Sequence, residues 1–190
     1  DGIEMFGFPY ATGDDVRSSP AVADLDKNNS MELIIGSHDG SLHILSGFGQ
    51  QLATHQVNGS INGSPAAVDL DQDGDLEIVF TSYNGSTGDV HAIHHNGSTF
   101  YGFPVYLNEK MVGGAAAGDL DGDGYPEIVV CTDDDNVYAI KKDGSIMTGF
   151  PFASTDRFFN APTLVDLDGD SDLEIVVGNR RGTLQVLHHD

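Results

Sequence analysis

The stretch Asp69-Leu70-Asp71-Gln72-Asp73-Gly74-Asp75-Leu76-Glu77-Ile78-Val79-Phe80 carries acids at positions one, three, five, seven and nine and then turns apolar. It recurs. Asp24-Leu25-Asp26-Lys27-Asn28-Asn29-Ser30-Met31-Glu32 leads into Leu33-Ile34-Ile35, Asp119-Leu120-Asp121-Gly122-Asp123-Gly124-Tyr125-Pro126-Glu127 into Ile128-Val129-Val130, and Asp166-Leu167-Asp168-Gly169-Asp170-Ser171-Asp172-Leu173-Glu174 into Ile175-Val176-Val177. The first acids stand 45, 50 and 47 residues apart, so four copies of one unit fill the 190-residue chain.

Working outward, small residues precede each acidic segment: Ser19 to Ala23, Ser64 to Val68, Gly113 to Gly118 and Ala161 to Val165. After each apolar run comes a turn rich in Gly, Asp or Asn, then an alternating stretch: Leu42 to Leu45, Val90 to Ile93, Val137 to Ile140, Leu184 to Leu187. Period two with branched side chains predicts strands. A last element carries Gly7-Phe8-Pro9, Gly102-Phe103-Pro104 or Gly149-Phe150-Pro151, an outer strand where proline is tolerated; the segment Gly49 to Leu52 is a degenerate copy. Each unit thus reads as four short strands, A to D from the inside outward.

Four antiparallel strands in 45 to 50 residues are the size of a β-propeller blade, whereas a solenoid rung usually needs only about 20 to 30. The fold class is therefore all-β: a propeller of four-stranded blades at 11–58, 59–105, 106–152 and 153–190. The chain begins with a D-type segment and ends after a C strand. Residues 1–10 are expected either to complete the last blade as a closing strand, pairing with Leu184 to Leu187, or to leave the chain as an arc of a larger ring, with pairing of two arcs as one way to complete it.

Composition narrows function. Thirty acids against eight Lys and Arg give a formal charge of −22, which repels a phosphate backbone and an anionic lipid surface, so nucleic acid is excluded as a partner. No apolar run approaches the ~18 residues of a membrane span, so no membrane insertion is expected. Cys131 is the single cysteine, which rules out an internal disulfide. The first residue, Asp1, suggests a mature or excised segment.

Alternate positions of a tight loop point inward. Oxygens at positions one, three, five and nine then converge on one point: Asp24, Asp26, Asn28 and Glu32; Asp69, Asp71, Asp73 and Glu77; Asp119, Asp121, Asp123 and Glu127; Asp166, Asp168, Asp170 and Glu174. Position seven (Ser30, Asp75, Tyr125, Asp172) varies in chemistry, so its backbone carbonyl is the expected ligand. Such an all-oxygen cage suits Ca²⁺, which takes six to eight hard ligands, better than Mg²⁺ with its strict octahedron. Gly74 and Gly124 at position six permit the bend. The four loops hold 17 of the 30 acids, which repel one another without cations. The first loop, with Lys27, Asn28 and Asn29, should bind most weakly.

These segments, with their small-residue lead and Ile-Val trail, resemble the FG-GAP repeats of integrin alpha-chain heads and of bacterial exported proteins. The resemblance implies calcium in the A to B loops on one face of the propeller and partners on the other. The chain differs in having Glu at position nine, where Asp is usual, and four blades where seven or eight are usual. What the resemblance implies is a non-enzymatic, calcium-binding module for protein or glycan recognition, secreted or at the cell surface, in the manner of cell adhesion. Two other readings are the propeller of a calcium-dependent polysaccharide lyase and a purely architectural spacer.

Other residues fit more than one role. His94-His95 and His188-His189 share a column with Lys141-Lys142, and His43, His91, Tyr138 and Gln185 share another, so both read as surface positions at strand ends rather than a zinc site. Asn58, Asn62, Asn84 and Asn96 each head Asn-Gly-Ser, a turn and also a glycosylation pattern. No nucleophile elbow, phosphate-binding glycine loop or zinc-protease motif is present. Arg17, Lys110 and Arg157 lie in D to A connections and Arg180 and Arg181 in a B to C turn, on the face opposite the acidic loops. Tyr10, Tyr83, Tyr106, Phe158 and Phe159 lie near them, as recognition anchors or as caps on the core.

Overall fold

The computed structural model describes residues 2–189. Its strands form four antiparallel sheets in chain order. The first blade is β1 (Ala21–Ala23), β2 (Glu32–Gly36), β3 (Ser41–Ser46) and β4 (Gln51–Gln56). The second is β5 (Ala66–Val68), β6 (Glu77–Tyr83), β7 (Gly88–Ile93) and β8 (Val105–Tyr106); the third is β9 (Ala116–Gly118), β10 (Glu127–Cys131), β11 (Asn136–Ile140) and β12 (Phe152–Ala153). The fourth has three strands, β13 (Thr163–Val165), β14 (Glu174–Gly178) and β15 (Leu184–Leu187). The outer strands β8 and β12 each cross the expected boundaries at 105 and 152 by one residue.

The inner strands β1, β5, β9 and β13 contact one another in succession, so the blades fan about a common axis. Small residues make that approach feasible. A Cβ on Gly114 would lie 2.6 Å from the Ser64 carbonyl oxygen, and the Ser19 amide donates to Ser64 Oγ at 3.1 Å across the same crowded centre.

Between blades lie three apolar cores. Leu25, Ile34, Leu42 and Ile44 of the first blade meet Ile61, Ile78, Phe80 and Ile93 of the second. Leu70, Val79, Val90 and Ala92 meet Ile128, Val130, Tyr138 and Ile140, with Phe100, Phe103 and Met111 wedged in; Leu120, Val129, Val137 and Ala139 meet Ile175, Val177 and Phe158. Because alternate residues of a strand face opposite blades, β6 through Ser82 and all of β10 are buried on both sides.

Two expectations need correction. The closing strand does not form: β15 pairs only with β14, and Leu184 is 70% exposed. Phe8 and Tyr10 instead line one cavity with Leu33, Ile35 and Leu45 of the first blade, Tyr10 Oη lies 2.7 Å from Gln51 Oε1, and Gly7 packs on Phe48 and Gly49. The reason is the repeat's own logic, since each Gly-Phe-Pro segment docks on the blade that follows it in sequence, and for Phe8 that is the first. The described chain is an open arc. Likewise the segment read as degenerate carries β4, six residues long; without proline after Gly49 its amides are free to pair with β3, across a bulge at Ile44/Leu45.

Candidate metal centre

Each acidic segment joins an inner strand to the second strand of its blade, and its closing Glu is that second strand's first residue. Glu32, Glu77, Glu127 and Glu174 are all buried. Each turns Oε2 back to accept the amide of the position-two Leu, at 3.0 Å (Leu25), 3.0 Å (Leu70), 2.9 Å (Leu120) and 2.7 Å (Leu167). That bond explains Glu at position nine, because its extra methylene reaches the loop's start and leaves Oε1 for other contacts.

The rest of the loop is built from side chains accepting backbone amides. Position three accepts from position five at 3.3 Å in all four copies, as in Asp73 to Asp71 Oδ1. Position five accepts from position seven: Asn28 from Ser30 at 2.7 Å, Asp73 from Asp75 at 2.9 Å, Asp123 from Tyr125 at 2.8 Å, Asp170 from Asp172 at 3.0 Å. Position one accepts from position six in three loops, through Asn29, Gly124 and Ser171. Positions four and six are left-handed in every copy: Lys27 (φ 53°), Gln72 (65°), Gly122 (69°) and Gly169 (84°), then Asn29 (67°), Gly74 (104°), Gly124 (93°) and Ser171 (84°). The requirement at position four was not foreseen, although Gly122 and Gly169 signalled it.

Carboxylate oxygens of Asp24, Asp26 and Glu32 lie within 4.8 Å of one another, as do those of Asp69, Asp71 and Glu77 and of Asp119, Asp121 and Glu127. In the fourth loop the same closeness holds for Asp166, Asp168 and Asp170, and separately for Asp168, Glu174 and His188. Positions one, three and nine are thus brought together in three loops, whereas in the fourth positions one, three and five come together and position nine meets position three and His188. Three position-seven side chains have neighbours after the third strand: Asp75 Oδ2 lies 3.8 Å from His95 Nε2, Asp172 Oδ2 4.0 Å from His189 Nδ1, and Lys142 Nζ sits 3.0 Å above the Tyr125 ring.

Sequence reasoning missed the neighbours of position nine. His94 Nδ1 is 3.1 Å from Glu77 Oε1, His188 Nδ1 is 3.3 Å from Glu174 Oε1, and Lys141 Nζ lies 2.7 Å from Asp121 Oδ2 and 3.8 Å from both Asp123 Oδ2 and Glu127 Oε1. One column, directly after the third strand, faces the loops; the first blade has Ser46 there. Burial pushes the Glu77 and Glu127 carboxyls up, opposed by their backbone bonds, whereas the Lys141 hydrogen bond holds the Asp121 carboxyl down.

A hard cation fits these donors. Every converging group in the first three loops is an oxygen, and Asp69 Oδ1, Asp119 Oδ1 and Glu174 Oε1 are buried without a hydrogen bond, an arrangement that is costly unless a positive charge offsets it.

On the opposite side, backbone bonds tie D to A connections to B to C turns. His38 donates to Asp15, Asp133 to Lys110 and Arg180 to Arg157. Arg17, Lys110, Arg157 and Arg180 do share that face. Three of them are paired, however: Lys110 Nζ and Arg157 Nη1 both approach Asp133 Oδ2 (3.5 and 3.7 Å) and Arg17 pairs with Asp15, as the neighbouring Arg181 does with Asp156. Phe158 is a core residue, while Phe159 is exposed beneath Arg180, 6.0 Å from its ring.

The second column was misplaced as surface. His43, His91 and Tyr138 are buried, because the third strand carries them under the outer strand or connection of their own blade. Tyr10 Oη lies 3.0 Å from His43 Nδ1, Ser82 Oγ lies 2.9 Å from His91 Nε2, and Tyr138 Oη donates to Glu109 Oε1 at 2.7 Å. Cys131 is buried as expected, which pushes its thiol up to about 12.

Blades fanned about an axis, each with one acidic loop between its first and second strands, define a repeat β-propeller. The FG-GAP-like repeat model matches residues 69–130 and 119–177, more than half of the chain, and the chain belongs to that family. Its fold is similar to the computationally designed Ika4 protein (TM-score 0.67, 14% identity, 99% of each chain covered) and to BBS1N from its complex with ARL6DN (0.67, 15%, 96% of this chain and 55% of that one). BamB from Moraxella catarrhalis is similar too (0.66, 15%, 95% and 48%). The chain therefore spans about half the length of BBS1N and BamB. No curated protein matches it.

Proposed function

We propose that the chain is a calcium-stabilised, non-catalytic propeller segment that recognises protein or glycan through the face opposite its acidic loops. The observation that carries the calcium reading is the repetition: three loops converge carboxylates at positions one, three and nine and the fourth at one, three and five, with Asp69 Oδ1 and Asp119 Oδ1 buried and satisfied by no hydrogen bond. Asp24, Asp26 and Glu32, Asp69, Asp71 and Glu77, Asp119, Asp121 and Glu127, and Asp166, Asp168 and Asp170 would hold the ions. When bound, calcium supplies charge neutralisation that fixes the first strand of a blade to its second.

Recognition rests on the opposite face, where exposed Phe159 lies under Arg180 and Lys110 lies over Tyr83 at 5.3 Å. Aromatic and cationic side chains in contact are the residue types that anchor partners. FG-GAP repeats are typical of extracellular proteins, and no helix among the described residues is long and apolar enough to cross a membrane, which together support a secreted or surface setting. A neighbour in fold, BBS1N, is seen in complex with a protein.

The test is titration calorimetry of stripped protein with Ca²⁺ and with Mg²⁺, followed by glycan-array and surface-protein binding of wild type and an Arg157→Glu/Arg180→Glu variant. Saturable calcium binding that Mg²⁺ does not mimic, with partner binding lost only in the variant, supports the reading. No calcium heat refutes the first half, and unchanged partner binding by the variant refutes the second.

A further inference from the structure

The two ends of the arc are complementary. On the fourth blade, Leu167, Leu184 and Val186 are 58%, 70% and 47% exposed. Their counterparts in the other blades, Leu25, Leu42 and Ile44, then Leu70, Val90 and Ala92, then Leu120, Val137 and Ala139, are all buried against the next blade. At the other end, Leu33 and Ile35 of the first blade are half-buried at the positions where Ile78 and Phe80 of the second are fully buried against the blade before it, and no preceding blade among the described residues covers them.

The backbone matches as well. In β8 and β12 the two residues after Gly-Phe-Pro pair with the third strand of the preceding blade: Val105 with Val90 and Tyr106 with Asp89, Phe152 with Val137 and Ala153 with Asn136. Tyr10 and Ala11 are the corresponding residues after Gly7-Phe8-Pro9 and pair with no strand, and Leu184 and Thr183 are the corresponding positions of a third strand with no outer partner. One end lacks an outer strand and the other carries one unused. Charge agrees, since B to C turns meet the following D to A connection, as Arg157 meets Asp133; Arg180 and Arg181 would there face Asp14 and Asp15.

We infer that two copies of this chain join head to tail into one closed ring of eight blades, each lending Tyr10 and Ala11 as the outer strand for the other's β15. A second copy satisfies both ends at once. Area is sufficient. The strands run from two to six residues, so at about 3.3 Å per residue and about 4.8 Å between strands the first-blade face is about 320 Å² and the fourth-blade face, with its lent outer strand, about 220 Å². Two such junctions bury about 1,100 Å² of flat sheet, above the ~1,000 Å² that a biological interface should clear.

The test is the mass of the 190-residue chain by light scattering in calcium, from 1 to 100 μM (about the range for a moderate dimer). The expected result is twice 20.2 kDa, reduced to a monomer by Leu184→Arg. Because that substitution also perturbs the fourth blade itself, a Tyr10→Cys/Leu184→Cys variant supplies an independent reading: oxidation should give a covalent dimer on a non-reducing gel. A wild-type monomer throughout overturns the inference and assigns the faces to flanking blades of a longer chain. A mass that keeps rising with concentration overturns ring closure, and a bond between the two introduced cysteines within one chain returns the arc to a self-closed ring.

Discussion

Lys141 Nζ stands 2.7 Å from Asp121 Oδ2, so the third acidic loop holds a cation of the chain's own. The hydrogen bond raises the ammonium's proton affinity and lowers the carboxyl's, each partner favouring the charged form of the other. An ammonium 3.8 Å from Asp123 and Glu127 competes with an incoming metal for the same oxygens. Lys141→Ser, which installs the residue found in the first blade, should tighten calcium at the third loop about tenfold, ~1.4 kcal/mol. Tyr125 at position seven makes this measurable by terbium luminescence, with Asp119→Ala as the blank. Unaltered affinity would mean that the lysine swings away without cost.

Loop strain gives a second expectation. Ser171 holds φ 84° at a position where the second and third loops have glycine. A Cβ in this region costs about 1 kcal/mol. Ser171→Gly should therefore raise the melting temperature of calcium-free protein, whereas Gly124→Ser should lower it by a similar amount. Thermal melts of the two variants in chelator check the sign.

Acid sensitivity should trace in part to a buried histidine. Burial pushes the His91 imidazole down to about 4, with His55 as the secondary cause, while Phe80 stacks on it at 4.8 Å between ring centroids. The folded pKa lies below the unfolded value of about 6.5, so the unfolded chain takes up the proton first. The stability is fully present above about 6.5 and is lost as pH falls toward 4. Between pH 7.5 and 5 the loss amounts to about 2 kcal/mol. Denaturant melts of wild type and His91→Gln at the two pH values should show that much less pH dependence in the variant.

The repeat was legible because its chemistry is local. Acids at every second position, a glycine bend and an Ile-Val strand occupy consecutive residues, and hydrophobic alternation located the third strand of every blade. Closure was not legible, since phase shows that a D-type segment comes first but not which blade it covers. Leu167 held the clue: its three counterparts are buried by a following blade, and the fourth blade has none. The column His94, Lys141 and His188 reads as surface in the sequence, because its residue types differ while its place beside the closing Glu is constant. Lys27 and Gln72 hid the left-handed position four in the same way.

Calcium linkage is the most direct consequence of these loops. Ions that bind only the folded loops add ~2.7 kcal/mol per site at 100 times Kd. Calorimetric melting of the stripped chain in excess chelator and then in millimolar Ca²⁺ should show the midpoint rising steadily with free calcium, and rising less in an Asp69→Ala/Asp71→Ala variant of the second loop. A midpoint that is the same in chelator and in calcium would contradict the reading of these loops as metal cages.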